Sequence, residues 1–315
     1  MSTAAANDPA PISQSLSDWL TQAQDRHADA PADVARELHQ RAPALPADDL
    51  GAQALRLAEH LWLGHLGDPA GLAACLARVP VANAPTPANA EATARIRWAL
   101  ATLADRPTPT PPLDDAPRWR ALQNVVLALA QQGQAARAQT LLLADEAAAA
   151  AHGAQDTGRA YAAAANNVAA HLCDGMPAAT AGAADRQRLM LAAADLSLRA
   201  WAIAGTWLHR ERAHYRLALC HAALGQGGPA LAHAQHCLHA CQVGDGSQPA
   251  DALEHFFAHE ALARAHHAAA DTASRQAAIA HRQEMQNLLP AIDEADGQRA
   301  WCAQALHALP TLPKA

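Results

Sequence analysis

The stretch at residues 213–243, AHYRLALCHAALGQGGPALAHAQHCLHACQV, constrains this chain more than any other. Its apolar residues follow a helical period twice, with glycine between. Leu217, Ala218, His221 and Leu224 share one face of a first helix, and Gly225 ends it. Ala230, Ala234, Cys237 and Leu238 share one face of a second. Small residues at the inner positions let two antiparallel helices approach closely, as stacked helix-pair arrays require.

Composition points the same way. Half of the 315 residues are apolar, but only 3% are aromatic, with two Phe and two Tyr. Alanine has the best helix propensity and little bulk, which favours close helix packing over a sheet built on aromatic and β-branched pairs. The expected class is all-α.

A net charge of -7, with acids and bases interspersed, offers no basic tract for nucleic acid. Lys314 is the only lysine, which excludes a P-loop and leaves no lysine for Schiff-base chemistry in the body of the chain. Six scattered cysteines lack the spacing of a disulfide scaffold, the start MSTAAANDPAP has no signal-peptide pattern, and no apolar run is long enough for a membrane span. A reducing cytoplasm, with no membrane and no nucleic-acid partner, is the expectation.

Residues 1–11 read as a disordered tail and 12–105 as an N-terminal helical region. There, Leu50, Ala54, Leu55, Leu57, Leu61 and Trp62 predict a helix closed by Gly67-Asp68-Pro69: glycine terminates, aspartate caps, proline opens the next helix. Residues 106–117 form a proline-rich linker, and an array follows over 118–310. Four helix pairs recur there, at spacings of roughly 34 to 50 residues. Gly133 and Gly225 are turns, and a Gly/Ala-rich interruption falls at 174–184. Thr206 is an expected cap, with His209 in the capping-box place, and Trp201 and Trp207 are expected to anchor adjacent units.

Leu217, Ala218, Leu224, Gly225 and Ala230, with Val125, Gly133 and Ala138, resemble the tetratricopeptide repeat, and Asn166-Asn167-Val168-Ala169 is similar to its kinesin-light-chain variety. The resemblance implies an antiparallel helix-hairpin array, an α-solenoid whose first helices line a concave groove. Large aromatics expected early in each repeat are mostly missing. In that frame Arg212, Tyr215, Arg216 and Leu219 turn towards the groove, and the two arginines, one turn apart, call for an acidic group opposite.

Asn166 and Asn167 fall at the matching stretch of the preceding groove helix. Asn167, Arg212 and Arg216 thereby resemble the carboxylate clamp of chaperone-binding tetratricopeptide domains, although Gln123 and Leu127 stand where a lysine and an asparagine would be. A guanidinium fork suits a carboxylate, and internal pairing of both arginines is the competing reading. Glu260, Arg264 and His267 form a second polar stripe, read either as an intrahelical pair or as part of one pocket with Arg212, Tyr215 and Arg216.

His233, Cys237 and Cys241 line one helix, but their span is too long for a tetrahedral metal site, and Cys237 and His221 read as core residues. No catalytic residue, metal or cofactor is assigned. The expected function is a cytoplasmic interaction scaffold whose groove binds a peptide or acidic group of an unidentified protein partner. A small-molecule or catalytic pocket in the same face is the alternative, and self-association stays open.

Overall fold

The computed structural model describes residues 14–81, 83–107, 113–175, 183–244 and 250–310. The expected tail at 1–11 and the middle of the expected linker, 108–112, lie outside them. Among the described residues the chain is all-α, with no strand, and its helices pack against their neighbours in sequence order as an antiparallel helix-hairpin array. None is long and apolar enough to cross a membrane. The chain divides into two compact units, Met1–Ala128 and Leu129–Ala315. The division falls inside a helix, α6 (Asp115–Gln131), and not at the proline-rich stretch before it.

The first unit contains α1 (Leu16–Arg26), α2 (Pro31–Arg41), α3 (Asp49–Glu59), α4 (Pro69–Leu76) and α5 (Pro87–Leu103). The Asp48 side chain caps α3 by accepting from the Leu50 and Gly51 amides at 3.0 Å. After Glu59 the helix widens into a π turn over His60–His65. It closes as the sequence predicts: Gly67 takes φ +59°, Asp68 accepts from the Gly71 amide, and Pro69 opens α4. Leu38, Leu55, Leu61, Leu63, Leu72 and Ile96 fill the core. Into it is set a fully buried carboxylate, Glu59, whose Oε1 accepts from Arg95 at 2.9 Å and Asn124 at 2.8 Å.

The second unit continues with α7 (Ala135–Leu143), α8 (Glu146–Ala151), α9 (Asp156–Asp174), α10 (Ala183–Ala204), α11 (Trp207–Ala223), α12 (Gly227–Val243), α13 (Ala252–Ala269), α14 (Thr272–Leu288) and α15 (Gln298–His307). The capping box at Thr206 forms, with the Thr206 amide donating to His209 Nδ1 at 3.2 Å. Trp201 is buried and stacks on His209, while Trp207 is only half-buried. His221 is half-buried at the helix end, bonded to Gln226, instead of filling the core.

Each pair α9/α10, α11/α12 and α13/α14 packs internally, and α11 also touches α9 and α13, its counterparts in the neighbouring pairs. Alanine makes this possible. Ala218, Ala230, Ala234, Ala261 and Ala265 form one buried cluster between α11, α12 and α13. The tightest approach is at the start of α12, where a Cβ on Gly227 would lie 2.6 Å from the Ala269 backbone. Around Gly228 the same atom would meet nothing. Gly227→Ala is therefore expected to cost about 1–3 kcal/mol by overpacking, whereas Gly228→Ala leaves stability unchanged or raises it. Thermal unfolding of the two variants checks this, and equal midpoints would contradict the close approach.

Candidate functional site

The second unit holds a cavity of about 530 Å3 walled by the first helices of three consecutive pairs. The end of α9 supplies Cys173 and Asp174, α11 supplies Tyr215, Arg216 and Leu219, and α13 supplies Phe257, Glu260, Arg264 and His267. Trp301 and Ala305 of α15, with Pro310, complete it. The spacings explain the convergence. Residues 257, 260, 264 and 267 step by three and four along α13, and on α11 residue 219 lies four after 215 and three after 216, so each set shares one helical face.

A buried carboxylate organises the polar end. Glu260, 4% exposed at its side chain, accepts from Tyr215 Oη through Oε2 and from Arg264 Nε through Oε1, both at 2.8 Å. Burial, and then the Glu260 charge, push the Tyr215 phenol well above its ordinary pKa, so it stays a donor. Arg216 is held differently. Its side chain is 17% exposed, with the guanidinium 4.0 Å from the exposed Asp174 carboxylate, beyond hydrogen-bond reach, and 5.9 Å from the Tyr215 ring centre. Its Nε and His267 Nδ1 are buried without a hydrogen-bond partner among the described residues. Arg264 pairs with Glu260, while the charge facing Arg216 is the exposed carboxylate of Asp174.

Opposite stands an apolar wall. Phe257 is buried, and Trp301, 57% exposed, leans on it with ring centres 4.7 Å apart. Beside Asp174, the Cys173 thiol interacts with that of Cys220 on α11. That interaction, ahead of the nearby Arg216 and Arg264 charges, holds the Cys173 thiol below its ordinary pKa and drives Cys220 well up.

Five residues singled out from the sequence thus line one cavity: Tyr215, Arg216, Glu260, Arg264 and His267. Three do not. Arg212 turns to the first turn of α13 and pairs with Glu254. Asn166 is half-buried and Asn167 exposed, two turns before the stretch of α9 that reaches the cavity. The acidic groups expected opposite the two arginines are Glu254 for Arg212 and Asp174 for Arg216. Sequence reading missed Asp174, Cys173, Phe257 and Trp301. Phe257 was within reach, one turn before Glu260 on the same stripe, but Trp301 depends on where α15 folds.

The His233–Cys237–Cys241 row does not gather. His233 reaches His214 and stacks on His221, while Cys237 and Cys241 are buried thiols, Cys241 pushed up to about 12 by burial and nearby carboxylates. Among the described residues, three candidate ligands converge only at His27, His60 and His65 in the first unit. No family model, curated protein or solved structure matches the chain.

Titratable groups outside the cavity lining couple the second unit to pH. Burial, then neighbouring histidines, depress His214 and His281 to about 4. Burial, then the Glu254 charge, raise Glu211 to about 8. Where the unfolded chain binds more protons, stability rises with pH. The histidines therefore contribute fully above their ordinary 6.5 and lose that contribution as pH falls towards 4. Glu211 acts oppositely, its contribution being lost as pH rises from 4.5 through 8. The histidines outweigh it on the acid side, where His171, His209, His233, His259 and His266, lowered by burial, act in the same direction, so thermal stability is expected to fall as pH drops below 6.5. Glu211→Gln should remove most of the decline between 6.5 and 8 in calorimetry, and an unchanged slope would contradict the assignment.

Proposed function

We propose that the second unit is a tetratricopeptide-like binding module whose cavity takes the terminal carboxylate of a peptide ending in an apolar residue, in a cytoplasmic scaffold protein. The observation that carries this reading is Arg216: a mostly buried side chain with an unpartnered Nε, facing a cavity that already holds one neutralised carboxylate. Arg264 is fixed through Nε by Glu260, which leaves its terminal nitrogens for a ligand. A carboxylate between the two guanidinium groups would use their fork geometry at hydrogen-bond distance, which Asp174 does not reach. Phe257, Leu219 and Trp301 then suit an apolar side chain next to that carboxylate, with Trp301 at the exposed edge.

This differs from the clamp expected from the sequence, because Arg264 takes the place foreseen for Arg212 and Asn167. A second reading, a small carboxylate-bearing metabolite, is favoured by the way α15 and Pro310 bound the cavity. Both share the two arginines, and ligand size separates them.

A panel of short peptides with apolar C-terminal residues, each made as free acid and as amide, tests the proposal by calorimetry or fluorescence anisotropy. Free acids should bind and amides should not. Arg216→Ala or Arg264→Ala should lose about tenfold to a hundredfold in affinity, as expected for a charged hydrogen bond of about 1.5–3 kcal/mol. Arg212→Ala should bind as the parent. Equal binding of acids and amides would refute it, and binding of N-acetyl amino acids as tight as that of peptides would favour the metabolite.

A further inference from the structure

We propose that the first unit carries a site for a divalent transition-metal ion of zinc's class, held by His27, His60 and His65. The ligand nitrogens of the three half-buried imidazoles lie within 4.8 Å of one another, and His60 Nε2 and His65 Nε2 are 3.1 Å apart. Zinc–imidazole bonds of about 2.0–2.1 Å place neighbouring ligands of a tetrahedron about 3.3–3.4 Å apart. The His60–His65 pair is already close to that spacing. His27, at the end of α1, needs only a small side-chain adjustment to join it.

The backbone is shaped to make this cluster. Residues five apart on an α-helix diverge by about 140°, so His60 and His65 would face different directions had α3 simply continued. The π turn widens the helix, and the Leu66 amide closes on the Leu61 carbonyl at 3.0 Å, five residues back. Such turns are rare and concentrate at functional sites. Gly64 leaves room for the ring: a Cβ there would lie 2.9 Å from His60 Nδ1 and 3.1 Å from Asn124 Oδ1.

Neighbouring groups set the tautomers that metal binding requires at His27 and His60. Asn124 Nδ2 donates to buried Glu59, so its Oδ1 is the atom 3.2 Å from His60 Nδ1, and that nitrogen must carry the hydrogen. His60 Nε2 is then the basic nitrogen and accepts from His65 Nε2 at 3.1 Å, so His65 gives up that hydrogen, moving it to Nδ1, when the ion binds. The Gln24 carbonyl, which can only accept, lies 2.6 Å from His27 Nδ1 and fixes that imidazole the same way. Second-shell partners of this kind orient metal-binding histidines. Three imidazoles suit zinc, cobalt, nickel or copper, not calcium or magnesium. A cleft of about 390 Å3 lined by Gln24, Gln53, Arg56 and His60 gives an approach, with a remaining coordination position for water.

Untagged full-length chain, treated with chelator and dialysed, is titrated with Co2+ and followed by visible absorption, calorimetry and thermal unfolding. The expected result is a ligand-field band titrated by Co2+, abolished by Zn2+, and a rise in unfolding midpoint with either ion. His60→Gln and His65→Gln should lower affinity at least tenfold, and His214→Gln in the second unit should not. Gly64→Ala should weaken binding by a similar factor with helicity retained, which keeps the test valid should a histidine variant fold poorly. X-ray absorption of the Zn2+ complex should show imidazole nitrogen and no sulfur. The proposal is overturned by absence of the band in the parent chain, by sulfur ligation, or by binding unaltered in His60→Gln, His65→Gln and Gly64→Ala.

Discussion

Everything in the second unit rests on how closely its helices approach. A chain with two phenylalanines and two tyrosines cannot fill a wide core, so α11, α12 and α13 meet through alanine and, at Gly227, through bare backbone. Close approach places α9, α11 and α13 side by side and brings scattered polar side chains into one cavity. Larger residues are kept for the end of the unit, where Phe256, Met285, Ile292 and Leu309 pack together and Trp301 closes over Phe257.

Glu59 in the first unit and Glu260 in the second are both buried carboxylates, and they are handled differently. Glu59 is sealed in the first core, with Arg95 and Asn124 as partners, and passes its orientation on to His60 through Asn124. Glu260 is buried at the edge of a cavity, where Tyr215 and Arg264 neutralise it and Arg216 beside them keeps donor capacity. Removing one member of a buried ion pair leaves the other charge unpaired, a loss of about 3–5 kcal/mol. Both carboxylates therefore act as fixed points around which a neighbouring group is aimed.

Much of this was legible in the sequence, for local reasons. Periodicity, glycine turns and caps gave the helices, since each signal acts within one turn of the chain; the Gly67-Asp68-Pro69 junction and the Thr206 cap are examples. Tyr215, Arg216, Glu260, Arg264 and His267 could be grouped because their spacing along two helices fixes their faces. What the sequence could not give was the axial offset between helices. α9 extends two turns beyond the asparagines, so Asp174 and not Asn167 reaches Arg216, and Glu254 at the start of α13 draws Arg212 away. The histidine cluster was hidden for a different reason: an α-helical frame separates His60 from His65, and only the π turn brings them together.

The central claim is that α9 and α11 lie side by side, so that α9, α11 and α13 share one cavity. Cys173 and Cys220 measure it directly, because one thiol sits on each of the first two helices and each shifts the titration of the other. Mild oxidation of the native chain, followed by peptide mapping, should yield a Cys173–Cys220 disulfide with helicity retained. Cys173 joined to a different cysteine in a chain that remains folded would contradict the arrangement.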